Sequence, residues 1–213
     1  MSAPISAQAD RWRRLAACWD AGWSILVLAL ALRTFFVLPV VVPTASMEPS
    51  FRVGERILVD RCTVNFHPPA LGTPVVLRTA ALDVPLEGLP SSSILLKRLC
   101  GGPGDRVRIR DDGHVEWNGR DAAETSPALE QFYRGVSAAS AGGDRCVGHL
   151  HQAAVARWGG SLDTAPLLPD ARAVFQVHPR RVWVMGDHSL RSLDSRRFGD
   201  VAQEAIIGRV WGR

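Results

Sequence analysis

The sequence predicts a mainly β fold: an antiparallel β-rich domain behind one N-terminal transmembrane helix. Three observations carry that expectation. An apolar stretch near the N-terminus is long enough to cross a bilayer. The rest of the chain breaks into short runs in which apolar residues alternate with polar ones. Glycine and proline punctuate those runs at close intervals.

The length of 213 residues suffices for one large domain or two small ones. Apolar residues make up 46% and charged residues 22%, which suits a globular protein with an added membrane element. The net charge is only +4, and the arginines are scattered rather than blocked. A nucleic-acid surface is therefore not expected. No internal repeat is present.

The elements follow in order. Arg11, Arg13 and Arg14 precede a mostly apolar stretch from Leu15 to Leu32, which is free of charge from Ala21 onward. A spanning helix needs about 20 such residues. The best span is 15–35, with Asp20 and Arg33 near its ends and Trp12, Trp19 and Trp23 as an interfacial belt. The three arginines put residues 1–14 in the cytoplasm and 36–213 outside. A cleaved secretory signal is the rival, but the chain continues apolar from Phe35 to Val42, and no small-x-small cleavage site follows the core cleanly. That second apolar run is read as a segment holding the domain against the bilayer. A buried soluble helix is disfavoured because Gly22–Leu32 shows no amphipathic stripe.

Beyond the anchor, Ile57–Val59 follows the Gly54 turn and Val75–Leu77 follows Gly72-Thr73-Pro74. Ile94–Leu99 ends at Gly101-Gly102-Pro103-Gly104-Asp105. Val107–Arg110 and Val115–Trp117 flank Asp111-Asp112-Gly113 as a hairpin, and Asn118-Gly119 turns again. Val182–Met185 and Ile206–Trp211 complete the strands. Residues 121–176 are rich in Ala, Gly, Ser and Pro. They read as a cap-like insertion of loops, with a short helix around Ala153–Trp158.

Cys18 lies in the membrane candidate. Cys62, Cys100 and Cys146 allow one bridge and a free thiol, or no bridge. None forms a C-x-x-C pair, which excludes a zinc-ribbon or thioredoxin motif. His149-Leu150-His151 is too sparse for a metal site, and the glycine-rich turn at 101–104 lacks the lysine a phosphate loop needs. Neither metal nor cofactor is expected.

Among 25 basic residues there is a single lysine, Lys97, set in the apolar run Ile94-Leu95-Leu96-Lys97. Arginine stays protonated, whereas a lysine with a lowered pKa can act as a base. Upstream lies Pro43-Thr44-Ala45-Ser46-Met47-Glu48-Pro49, a serine in a proline-punctuated segment. A serine nucleophile activated by a buried lysine is the chemistry this pair suggests.

Four segments then line up behind the anchor: Val42–Ser50, Gly54–Val59, Lys97–Asp105, and Met185-Gly186-Asp187-His188 continuing to Ser192-Leu193-Asp194-Ser195-Arg196. Together they resemble the bacterial type I signal peptidases, membrane-anchored Ser/Lys endopeptidases. The resemblance covers roughly 33–110 and 181–213. It implies Ser46 as nucleophile, followed by Met47, and Lys97 as general base. It implies Thr44 as an oxyanion donor and Ser192 as a hydrogen-bond partner of the lysine amine. Asp194 and Arg196 match a structural pair. Three departures stand out: Arg191 where an asparagine is common, Glu55 for an aspartate, and His188 where the family often has asparagine.

The resemblance further implies exported preproteins as substrates, cut after a small-x-small pattern at the outer face of the bacterial plasma membrane, with lipid as the other partner. A conjugative-transfer or pilin-processing peptidase of the same chemistry is the near alternative. A catalytically silent membrane-anchored binding module is the distant one. A self-cleaving Ser/Lys regulator is disfavoured, since the anchor leaves no room ahead of it for a DNA-binding half.

Overall fold

The computed structural model describes residues 5–82, 90, 93–140, 148–157 and 167–212. Cys146, Trp158 and the side chains of Arg11, Trp12, Arg13 and Arg14 lie outside the described residues.

In chain order the elements are α1 (Ile5–Phe36), β1 (Val37–Val41), β2 (Arg56–Asp60), β3 (Pro74–Arg78), β4 (Ile94–Gly101), β5 (Arg106–Ile109), β6 (Val115–Trp117) and β7 (Arg120–Asp121). There follow α2 (Ala122–Thr125), α3 (Pro127–Ser140), α4 (Gln152–Arg157), β8 (Phe175–Gln176), β9 (Arg181–Met185), α5 (Ser195–Phe198), β10 (Val201–Ala202) and β11 (Ile206–Val210). Short 3₁₀ turns occur at Ala45–Met47 and Ser189–Arg191.

Seven strands form one antiparallel sheet in the order β1-β2-β11-β3-β4-β9-β10, and four form a second in the order β7-β6-β5-β8. The mainly β, antiparallel reading therefore holds. β3 sits centrally and is apolar on both faces, as a strand covered on both sides must be. Val75 and Leu77 pack with Leu99, Val182 and Val184. Val76 packs on the other side with Met47, Phe51, Val59 and Leu96. The β6–β7 hairpin turns on two residues with positive φ, Asn118 at 52° and Gly119 at 84°, which suits the Asn-Gly pair.

Three regions differ from expectation. α1 begins at Ile5, ten residues before the expected span, and runs unbroken for 32 residues. Its apolar side chains Ile25, Leu26, Val27, Leu28 and Leu30 are exposed. Among the described residues no helix is long and apolar enough to cross a membrane. The run after it, read as a segment holding the domain against the bilayer and not as a strand, is built into the sheet: Val37 to Val41 form an edge strand in register with Asp60 to Arg56. Finally, 121–176 holds a 14-residue helix, α3, that its composition conceals. Leu129, Phe132, Tyr133 and Val136 recur at helical spacing and bury against Val107, Ile109, Val115 and Trp183. This apolar stripe packs α3 into a second core.

Candidate active site

Ser46 is presented by the 3₁₀ turn that follows β1. Met47 and Phe51, just beyond it, are buried and pin the turn to the core. From the other side, the His188 N–H donates to the Ser46 carbonyl oxygen at 3.0 Å. Gly186 makes that approach possible. A β-carbon there would stand 2.6 Å from the Ser46 oxygen and collide with the Ser192 side chain.

Lys97 comes from the middle of β4. It is 2% exposed, Ser46 is 5% exposed, and the lysine Nζ lies 2.8 Å from Ser46 Oγ in a buried hydrogen bond. Burial pushes the Lys97 amine down to about 8, because an ammonium is poorly solvated there. The carboxylates of Asp194 and Asp187 oppose that shift and the Arg196 guanidinium reinforces it. The Thr44 hydroxyl is 3.2 Å from Ser46 Oγ.

Asp194 and Arg196 form a buried, two-pronged ion pair, with Nε to Oδ1 at 2.8 Å and Nη2 to Oδ2 at 2.6 Å. Burial alone would raise the Asp194 carboxyl. Arg196, the Gly186 N–H and the Ser192 hydroxyl outweigh it and hold the group at about 2. The Ser192 hydroxyl donates to Asp194 Oδ2 at 2.6 Å. It forms no hydrogen bond to Lys97 among the described residues, in contrast to the role the resemblance implies. The hydroxyl's one proton goes to the carboxylate that Arg196 keeps ionised, and its oxygen lone pairs are left unused by any described donor.

A second buried ion pair had no local signal in the sequence. Arg98 donates through Nε and Nη2 to Asp187 at 2.8 and 2.5 Å, and through Nη1 to the Gly72 carbonyl at 2.7 Å. Burial would raise the Asp187 carboxyl, but Arg98 holds it at about 2. The guanidinium also stands 4.5 Å from the centre of the Phe132 ring on α3. Behind it, the Tyr133 hydroxyl accepts from the Val115 N–H at 2.9 Å and lies 2.9 Å from His149 Nδ1. His149 is thus a buried partner of a tyrosine, and His151 lies 2.9 Å from Asp111. Among the described residues no three His, Cys, Asp or Glu side chains are grouped to hold a metal. Cys62 and Cys100 are free thiols, Cys100 buried with its thiol pushed up by desolvation.

A cleft of about 380 Å³ opens over Ser46 and Lys97, walled by Val41, Pro43, Ile94, Leu95 and Leu193. Its rims are unusual. β4 pairs with β9 only from Arg98 onward, so among the described residues no strand pairs with Ile94–Lys97 on that side. β1 is the outermost strand of its sheet. An apolar cleft between open strand edges, with a buried serine–lysine contact at its floor, can hold an extended peptide against a nucleophile.

The profile of the family described as signal peptidase, peptidase S26, matches residues 15–212. The chain belongs to that family. Signal peptidase I V of Bacillus subtilis is similar at 26% identity over 190 residues, covering 89% of this chain and 93% of its own. Signal peptidase I T of the same organism is 29% identical over 186 residues, covering 86% and 76%. Signal peptidase I of Pseudomonas fluorescens is 27% identical over 201 residues, covering 88% and 68%. A crystal structure of a signal peptidase I from Enterococcus faecalis is similar at 20% identity and a TM-score of 0.36, covering 67% of this chain and 97% of that one. Peptidase S26 enzymes are serine endopeptidases that remove signal peptides, and this chain is one of them.

Proposed function

We propose that Ser46 is the nucleophile and Lys97 the general base of this signal peptidase. The observation that carries the reading is the 2.8 Å contact between a buried lysine amine and a buried serine hydroxyl. Neutral Lys97 takes the Ser46 proton as Oγ attacks the scissile carbonyl, then returns a proton to the leaving amine. The Ser46 N–H and the Thr44 hydroxyl stabilise the oxyanion, where each such donor is worth about 10²–10³ in rate. Met47 pins the turn. Ser192, Asp194 and Arg196 support the lysine: the ion pair fixes the charges around it, and Ser192 links that pair to the Gly186 loop.

The substrate lies extended in the cleft and pairs with the open edges of β1 and β4. The shallow apolar walls accept small side chains, which suits cleavage after a small-x-small pattern in an exported preprotein. Residues 15–35 of α1 are the single anchor, with 1–14 cytoplasmic and 36–213 extracytoplasmic. Supporting this, the exposed apolar side chains of α1 leave no polar face from residue 21 to 31, and lipid is the solvent that accepts such a surface. No metal, cofactor or nucleic acid takes part.

The test is cleavage of a preprotein with an Ala-x-Ala site by the full-length enzyme in detergent, beside Ser46→Ala and Lys97→Arg. Wild type is expected to cut at that site, and both variants to be inactive yet folded. An active Lys97→Arg overturns the mechanism, because arginine cannot give up its proton. An inert wild type favours a specialised substrate or the silent binding module.

A further inference from the structure

Arg191 lines the cleft over Ser46 and takes no part in the chemistry above. It shares the lining with Leu193, Ile94 and Leu95, and no described Asp or Glu is part of it. Its side chain is exposed, with no ion pair or side-chain hydrogen bond among the described residues. The two arginines nearest the dyad are both neutralised, Arg98 by Asp187 and Arg196 by Asp194. Glu48, two residues beyond the nucleophile, is not part of the cleft lining.

The backbone under Arg191 is held on several sides. Its N–H donates to the His188 carbonyl at 3.0 Å, and the His188 N–H in turn holds the Ser46 carbonyl. The Ser189 hydroxyl donates to the Gly148 carbonyl and accepts from the Leu150 N–H. The Ser189 carbonyl accepts from Arg196 Nη2 at 3.3 Å. A guanidinium that no described carboxylate neutralises therefore stands on a fixed base one tight turn from the residue that grips the nucleophile. A peptide bound in the cleft passes within reach of a cation that no described residue satisfies.

We infer that Arg191 is a specificity-determining residue, favouring preproteins with an Asp or Glu side chain within three residues of the scissile bond. The inference rests on the Ser46/Lys97 reading. An extended substrate advances about 3.3 Å per residue, so three residues reach about 10 Å to either side of Ser46. Guanidinium and carboxylate match as a two-pronged pair. Because Arg191 is exposed, the pair is screened, and the expected preference is about two- to fivefold in kcat/KM.

The experiment uses full-length enzyme in uncharged detergent, so that no anionic lipid competes. Preproteins differ only in carrying Glu, Gln or Lys at each position within three residues of the cut, the two small-residue positions excepted. Wild type is expected to prefer Glu over Gln at one or more positions at low salt, and the preference to fade toward unity by about 0.5 M salt. Arg191→Gln removes the preference and Arg191→Glu turns it toward Lys. A wild type that cleaves the whole set without preference overturns the inference and leaves the Ser/Lys reading intact. So does a preference that survives in Arg191→Gln, or one that salt does not weaken, which needs no variant to fold. A wild type that cuts the Ala-x-Ala preprotein of the first test but none of this set overturns this inference alone; one that cuts neither points to a specialised substrate or a silent module and removes this inference with it.

Discussion

At the scale of single residues, one buried amine bears on both the proposed chemistry and the stability. As the proposed base Lys97 works only when neutral, so kcat/KM should rise with pH and level off above an inflection near 8, where burial has moved its pKa. A titration of cleavage rate between pH 6 and about 10 checks this; an inflection near the ordinary lysine value of about 10.4 would refute it. The same shift has a sign in stability. The unfolded chain keeps this proton up to about 10.4 and the folded chain only to about 8, so between those values the unfolded state binds more protons. Stability therefore rises with pH across that window. Below it the folded state carries the full cost of a buried charge, on the order of 3 kcal/mol. Lys97→Met removes that charge and should raise Tm at neutral pH while abolishing cleavage, measurable by calorimetry beside the activity assay.

Between residues and the whole lies the element, and α3 is the one that tests the packing. Its stripe of Leu129, Phe132 and Tyr133 joins the four-stranded sheet to the loop behind Asp187. The Tyr133 hydroxyl is central, receiving the Val115 N–H and facing His149 Nδ1. Tyr133→Phe strands both groups in a dry interior and should destabilise by about 1–3 kcal/mol, read as a lower urea midpoint. A midpoint unchanged from wild type would show that the network carries no weight. This element also marks where the sequence was legible. Strands β2, β3, β4, β9 and β11 were visible because each alternates or runs apolar between Gly and Pro turns. The short β7, β8 and β10 offer two residues each and no period to read. α3 does carry the spacing 129, 132, 133, 136, but Ala, Gly and Ser around it dilute the pattern. The motifs and the rarity of lysine single out Ser46 and Lys97, and the fold brings the two into contact at 2.8 Å. The Arg98–Asp187 pair was not, since its partners are 89 positions apart and nothing local to either announces the other.

For the molecule as a whole, the question is how a domain with its own core relates to a helix that shares little of it. The sheet begins at Val37, one residue after α1 ends, and the three clusters of buried apolar residues contain no described residue of α1. The described part of α1 therefore adds little to the packing of the cores, as the proposed anchor role requires. Removing residues 1–36 should leave the Tm of the β-rich domain nearly unchanged in detergent, while the full chain alone should resist alkaline extraction from membranes. Exposed Phe66 and Trp211 on the domain are apolar enough to touch lipid, so the truncated chain can still associate loosely, but dilution or alkaline extraction should release it. In the proposed orientation, protease added to the outer face of intact cells should digest the full chain from residue 37 onward and spare an N-terminal tag, since Arg11, Arg13 and Arg14 favour the inner side. A tag digested from outside would reverse the orientation. It would put the Ser46 cleft on the cytoplasmic side, where an exported preprotein has yet to cross.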